Sequence, residues 1–166
     1  MNPFMTPSNG FSADRRRCGL ALASLALPLW ARAQPAPASL PAARSLPDEL
    51  GLALQRGQPL LVMVSLEGCV YCRIVRQSHL APMAREGFPL VQVDMRSAQA
   101  VRDFAGRVTT HDELARRWKI SVTPTLLFFG AGGQEVAERM EGAYQPDFYG
   151  PYLDERLARA RSRLRG

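Results

Sequence analysis

Cys69 and Cys72 stand three residues apart in Glu67-Gly68-Cys69-Val70-Tyr71-Cys72-Arg73, directly after the apolar run Leu60-Leu61-Val62-Met63-Val64-Ser65-Leu66. In an exported protein, a strand followed by Cys-x-x-Cys and then a helix points to thiol–disulfide chemistry. Helical spacing sets Cys72 one turn beyond Cys69, so the two sulfurs can meet. Cys69 then falls at the helix N-terminus, where unpaired backbone N–H groups and the positive end of the dipole favour a thiolate. The expected roles are a more exposed, more acidic Cys69 that attacks a disulfide and a buried Cys72 that resolves the intermediate.

Competing chemistries lack the residues they need. A zinc site would have to be assembled from the two cysteines, His79 and His111, without a second cysteine pair and without the usual spacing. Covalent haem attachment needs Cys-x-x-Cys-His, and Arg73 follows Cys72. No metal and no cofactor are therefore expected. The formal charge of +6 suggests nucleic acid, but the N-terminal segment contributes half of it, leaving +3. The basic residues are scattered and no aromatic–basic motif accompanies them, so no nucleic acid partner is expected. Lys119 is the single lysine among 21 basic residues, which reads as codon bias.

The elements that position the cysteines follow an address. Arg15-Arg16-Arg17, an apolar run from Gly19 to Trp30 and Ala31-Arg32-Ala33 form the three regions of a signal peptide. The apolar run is shorter than the ~20 residues a membrane span needs. Cleavage is expected after residue 33, by the general secretory route or, given the arginine run, the twin-arginine route. Cys18 would leave with the signal, and the domain would face the periplasm. A single bridge between Cys69 and Cys72 closes too short a loop to act as a strong staple, because stabilisation grows with loop length.

Residues 34–45 are Pro/Ala-rich and read as a linker, and 46–166 as the domain. Ser45 is positioned to cap a helix from Leu46 to Arg56 ended by Gly57. The run after Pro59 suits a central strand covered on both faces. The helix after the cysteines carries Cys72, Val75, His79 and Met83 on one face, and Pro82 should kink or end it. His79 lies seven residues beyond Cys72, about 10 Å along a helix, too far to serve Cys69 as a base, so it is expected as a packed structural histidine. Leu90–Asp94 is a further strand. The stretch 95–109 is polar, with one helical turn expected around Val101–Phe104. Thr110-x-x-Glu113 is a capping box for the next helix. An apolar strand over Leu126–Phe129, a turn at Gly130–Gly133 and a partner strand over Gln134–Met140 follow. Pro146 opens a last helix with Tyr149, Leu153, Leu157, Ala160 and Leu164 on its apolar face. The order gives an α/β fold with a mixed central sheet and helices on both faces.

Three features coincide in this order: Cys69-x-x-Cys72 after the first core strand, Thr123-Pro124 just before the apolar strand, and Gly142 after the last strand. On these the chain resembles the thioredoxin family, from about Leu46 to Arg163. Within it the chain looks most like single-domain periplasmic thioredoxins of the SoxW kind, linked to sulfur oxidation and cytochrome c maturation. The resemblance implies a cis Thr123–Pro124 bond beside the cysteines and a loop that offers backbone groups to an extended substrate segment. It places Thr123, Pro124, Val70 and Tyr71 in substrate binding.

Departures from the pattern are informative. Gly68 stands where cytoplasmic thioredoxin has tryptophan, and Val70-Tyr71 where it has Gly-Pro. Cys-x-Tyr-Cys and the threonine before proline are similar to the disulfide isomerases, although residues 34–45 cannot supply the dimerisation domain of those proteins. The family's buried acid, six residues before the first cysteine, is Met63 here. Glu67 is the nearest carboxylate in sequence and the candidate for proton transfer. The implied partners are proteins bearing disulfides or dithiols and a membrane thiol electron donor, with the protein acting as a monomeric reductant. The alternatives are a disulfide oxidant or isomerase, and a non-catalytic redox-sensing or peptide-binding module.

Overall fold

The apolar run after Pro59 becomes β1 (Leu60–Ser65), whose six residues are all buried. It lies between β2 (Leu90–Asp94), parallel with Met63 opposite Gln92 and Ser65 opposite Asp94, and β5 (Thr125–Gly130), antiparallel with Met63 opposite Leu126. Such a strand must be apolar on both faces, because helices cover both. The computed structural model describes residues 39–142 and 146–166. The expected signal peptide falls outside the described residues. Among these, no helix is long and apolar enough to cross a membrane.

Strand alternation divides the core in two. Leu61 and Met63 face a cluster with Cys72, Val75, Leu126 and Phe128, closed by Tyr149, Leu153 and Leu157 of α5 (Pro146–Arg165). Val62 and Val64 face the other side, against Leu46 and Leu50 of α1 (Leu46–Gln55) and Leu114 of α4 (His111–Arg117). Burial of a leucine such as Leu153 or Leu157 contributes about 1.5–3 kcal/mol. An exposed pair such as Arg159–Glu155 contributes about 0–1 kcal/mol. Packing, not charge, docks α5.

The expected linker 34–45 is corrected over its described part. Residues 39–45 form a strap along the β2 edge. Gln92 N–H donates to Pro41 O at 2.7 Å, Ala43 N–H to Gln92 O at 2.8 Å, and Leu40 and Ala43 are buried. Buried His111 locks this strap: its Nδ1 accepts Asp94 N–H at 3.1 Å, which leaves Nε2–H to donate to Ala43 O at 2.9 Å. The Pro/Ala composition that signals a linker also suits a strap that needs only alternate backbone contacts. The Ser45 side chain makes no cap. Instead Glu49 Oε1 accepts the N–H groups of Arg44 and Ser45. Burial raises the Glu49 pKa, and those two N–H groups partly oppose it.

The polar stretch 95–109 differs from expectation as well. In place of a helical turn it holds a hairpin, β3 (Ala100–Arg102) against β4 (Val108–Thr110). Asp103 organises the turn: Oδ1 accepts the N–H groups of Ala105 and Arg107, and Oδ2 accepts guanidinium N–H groups from Arg107 and Arg117. Gly106 supplies the positive φ of 78° that closes it. The capping box forms on one side only. Thr110 Oγ1 accepts Glu113 N–H at 3.2 Å, while the Glu113 carboxylate pairs with Arg116 and Arg117. The expected partner strand after Gly133 is split into β6 (Gln134–Glu135) and β7 (Met140–Glu141), both antiparallel to β5.

Candidate functional site

The site grows from the end of β1. Gly68 takes φ 76°, turning the chain so that Cys69 becomes the N-cap of α2 (Val70–Val75). Cys69 and Cys72 are joined by a disulfide, with Cα atoms 5.3 Å apart. Cys72 is fully buried in the core, whereas Cys69 is half-buried. The Cys69 sulfur accepts Cys72 N–H at 3.1 Å.

The loop before β5 meets this sulfur from the other side. The Thr123–Pro124 peptide is cis. The Thr123 hydroxyl donates to Cys69 Sγ at 3.7 Å, and the Thr123 carbonyl lies 3.9 Å from it. Gly142 N–H donates to Pro124 O at 3.0 Å and fixes the loop from β7. A Cβ at Gly142 would sit 3.1 Å from Val122 and force a positive-φ strain, so this closing position favours glycine. Val70 and Tyr71, which follow Cys69, and Val122, which precedes Thr123, leave 53%, 56% and 46% of their surface exposed.

The helix does not end at Pro82. It continues through a π-helical turn, Arg76–Leu80, into α3 (Ala81–Arg85), with Pro82 in the first turn of α3. There the missing N–H of proline costs little, and the wider turn absorbs the ring. His79 sits in that turn, half-buried, with its ring 5.1 Å from Tyr149 of α5. Burial lowers its pKa below 6.5, with Asp154 pulling weakly the other way.

Glu67 is exposed on the loop before Cys69, and Met63 is fully buried in the core. A polar network that no sequence motif marks lies beside them. Arg76 Nε donates to Gln92 Oε1 at 2.8 Å and its Nη2 to Ser65 Oγ at 2.9 Å, while Gln92 Nε2 donates to Asp94 Oδ1 at 2.6 Å. These residues line a groove of about 980 Å³ whose wall includes Cys69. Arg76 lies one turn beyond Cys72 at i+4, and that spacing was the available signal.

The thioredoxin-like domain family matches residues 46–156, and the chain belongs to it. A thioredoxin-like protein of Haemophilus influenzae is 30% identical over 94 residues, 51% of this chain and 56% of that protein. The chain thus spans little more than half the length of this curated relative. A solved structure described as DsbH oxidoreductase superposes with a TM-score of 0.51 at 20% identity, over 75% of this chain and 90% of that one. The periplasmic thioredoxin SoxS from Paracoccus pantotrophus is similar at 22% identity, over 62% of this chain and 99% of that one, with a TM-score of 0.40. The fold is the thioredoxin fold, carrying a Cys-x-x-Cys disulfide at the start of its second helix.

Proposed function

We propose that the protein is a periplasmic thiol–disulfide oxidoreductase that reduces disulfides in partner proteins. One observation carries this reading: the disulfide joins a half-buried Cys69, at a helix start beside Thr123–Pro124, to a fully buried Cys72. A pair so placed can be reached at one sulfur only.

In the reduced state Cys69 is the thiolate. It attacks one sulfur of a substrate disulfide, forms a mixed disulfide and expels the other substrate sulfur as a thiolate, which takes up a proton. Cys72 loses its proton and attacks Cys69 Sγ, closing the Cys69–Cys72 bond and releasing the second substrate thiolate. Two electrons pass from the protein dithiol to the substrate. A dithiol donor, in the cell a membrane thiol carrier, restores the reduced pair. The Cys72 N–H and the Thr123 hydroxyl stabilise the Cys69 thiolate. Thr123, Pro124, Val70 and Tyr71 hold the substrate segment. Glu67 is the exposed carboxylate available for proton exchange near the pair.

The periplasmic assignment rests on the Arg15–Ala33 signal pattern, and the reducing direction on the family resemblance. Turnover of a protein disulfide with dithiothreitol as the regenerating dithiol tests the reading. Catalysis lost in Cys69→Ser is expected; stoichiometric binding without turnover would contradict it.

A further inference from the structure

Arg76 has a chemical peculiarity. Its guanidinium is partly buried, yet its hydrogen-bond partners are the neutral Gln92 amide and Ser65 hydroxyl, and among the described residues it pairs with no carboxylate. Other arginines of this chain do find one: Arg107 and Arg117 meet Asp103, and Arg156 meets Glu138. Withdrawing a cation from water is costly unless an anion meets it. The Gln92 amide is turned so that its carbonyl faces Arg76 and its NH₂ faces Asp94, which separates the two charges instead of pairing them. Arg76 is thereby fixed in direction while its charge stays uncompensated.

That charge borders the groove along which Cys69 lies, and Arg73 and Arg96 border it too. Both are exposed, and neither holds a carboxylate through its side chain among the described residues. Against these three cations stand Asp94, occupied by Gln92, and Glu67, exposed toward water. The formal balance of the groove is positive.

We propose that this groove is an anion subsite: Arg76, assisted by Arg73 and Arg96, receives a carboxylate that the substrate disulfide carries close to its reacting sulfur. The inference deepens the oxidoreductase reading above and rests on it. The ligand chemistry is a carboxylate-bearing disulfide. It has two sources, a small disulfide such as oxidised glutathione and an acidic side chain beside a cysteine of a substrate protein. A guanidinium held by two fixed partners presents its remaining N–H groups to an incoming carboxylate in a set direction, and charge-assisted bonds of that kind are the strong ones. Arg76 is thus a specificity determinant and takes no part in breaking the disulfide.

The test compares kcat/KM for disulfides that differ only in charge, with dithiothreitol regenerating the full mature chain. One arm sets oxidised glutathione against its dimethyl ester at the two glycine carboxylates, which carries no net charge. A second sets a disulfide-linked peptide with Glu beside the cysteine against the same peptide with Gln. Wild type should favour the carboxylate form in at least one arm by about tenfold, the scale of one charged hydrogen bond. The arm that shows the preference names the source. Arg76→Gln should bring the ratio close to one, and Arg76→Lys should restore part of it. Should Arg76→Gln fail to fold, the exposed Arg96→Gln and the salt dependence of the wild-type ratio serve instead, and both should lower the preference. A wild-type ratio near one in both arms, or a preference that survives Arg76→Gln and high salt, overturns the subsite. Absence of turnover on the neutral disulfides and the carboxylate forms alike would instead overturn the oxidoreductase reading.

Discussion

The Thr123 hydroxyl lies 3.7 Å from Cys69 Sγ and donates to it across 54 residues of sequence. With the Cys72 N–H at 3.1 Å, the sulfur has one donor from the first turn of α2 and one from the loop before β5. Both donors favour the thiolate over the thiol once the pair is reduced. Thr123→Val keeps the branched shape and removes one donor. Its Cys69 should alkylate more slowly at neutral pH, with the midpoint of the pH–rate curve shifted upward. An unchanged midpoint would remove Thr123 from the account.

Roles within the pair differ because exposure differs. Cys72→Ser should accumulate mixed disulfides with substrate proteins through Cys69, since nothing remains to release them. Cys69→Ser should trap none, because Cys72 is fully buried. Equal trapping by the two variants on non-reducing gels would refute the assignment.

Asp103 ties the β3–β4 hairpin to α4 through Arg117, with its side chain only 9% exposed. Burial pushes its pKa up, but hydrogen bonds from Arg107 and Ala105 and the Arg107 charge outweigh that, and the net direction is downward from 3.8. A folded value below the unfolded one means that the unfolded chain binds more protons, so this contribution is present above pH 3.8 and is lost as pH falls through the folded value. Asp103→Asn should destabilise by about 1–3 kcal/mol at neutral pH and flatten the acid limb of the stability curve. Urea titrations across acid pH would check it; an acid limb identical to wild type would contradict it.

His79 is lowered from 6.5, chiefly by burial against α5. The folded protein then holds fewer protons on this ring than the unfolded chain does. Its contribution is present above pH 6.5 and is lost as pH falls through the folded value. An NMR titration of the imidazole should give a midpoint below 6.5, while catalysis should not follow that midpoint because His79 faces Tyr149. A pH–rate profile tracking His79 would show that the ring acts on the cysteines after all.

Gly133 carries φ 71°, and a Cβ there would stand 2.5 Å from the Phe104 ring. Phe104 packs 4.7 Å from Phe129 and 6.5 Å from Trp118, so it cannot retreat without disturbing that cluster. Gly133→Ala combines overpacking with left-handed strain and should cost about 2 kcal/mol or more. A midpoint unchanged in urea would show that the hairpin yields easily.

Much of this was legible in the sequence because local chemistry and tertiary demand coincide. The unbroken apolar run of β1 suits a doubly covered strand, and the fold makes it one, with Cys-x-x-Cys just beyond its end. The Leu153 and Leu157 spacing on α5 matched its buried face. What escaped is long-range. The strap at 39–45 is held by His111 and Gln92, far away in sequence, so its composition alone resembles a linker. The β3–β4 hairpin depends on one carboxylate, Asp103, gathering four donors, which no periodicity announces. Arg76 looks like any helix-surface arginine until Ser65 and Gln92 are seen to hold it.

Cys69 and Cys72, as proposed, form a reversible two-electron couple poised to reduce. The direct measurement is the thiol–disulfide equilibrium of the protein against a graded series of dithiothreitol or glutathione buffers. Thioredoxin-fold proteins span roughly −270 to −120 mV, about 7 kcal/mol for two electrons. A single reversible transition near about −250 mV or lower is predicted. A potential near about −120 mV would make the protein an oxidant and contradict the reducing role. The absence of a reversible transition would contradict the redox function itself.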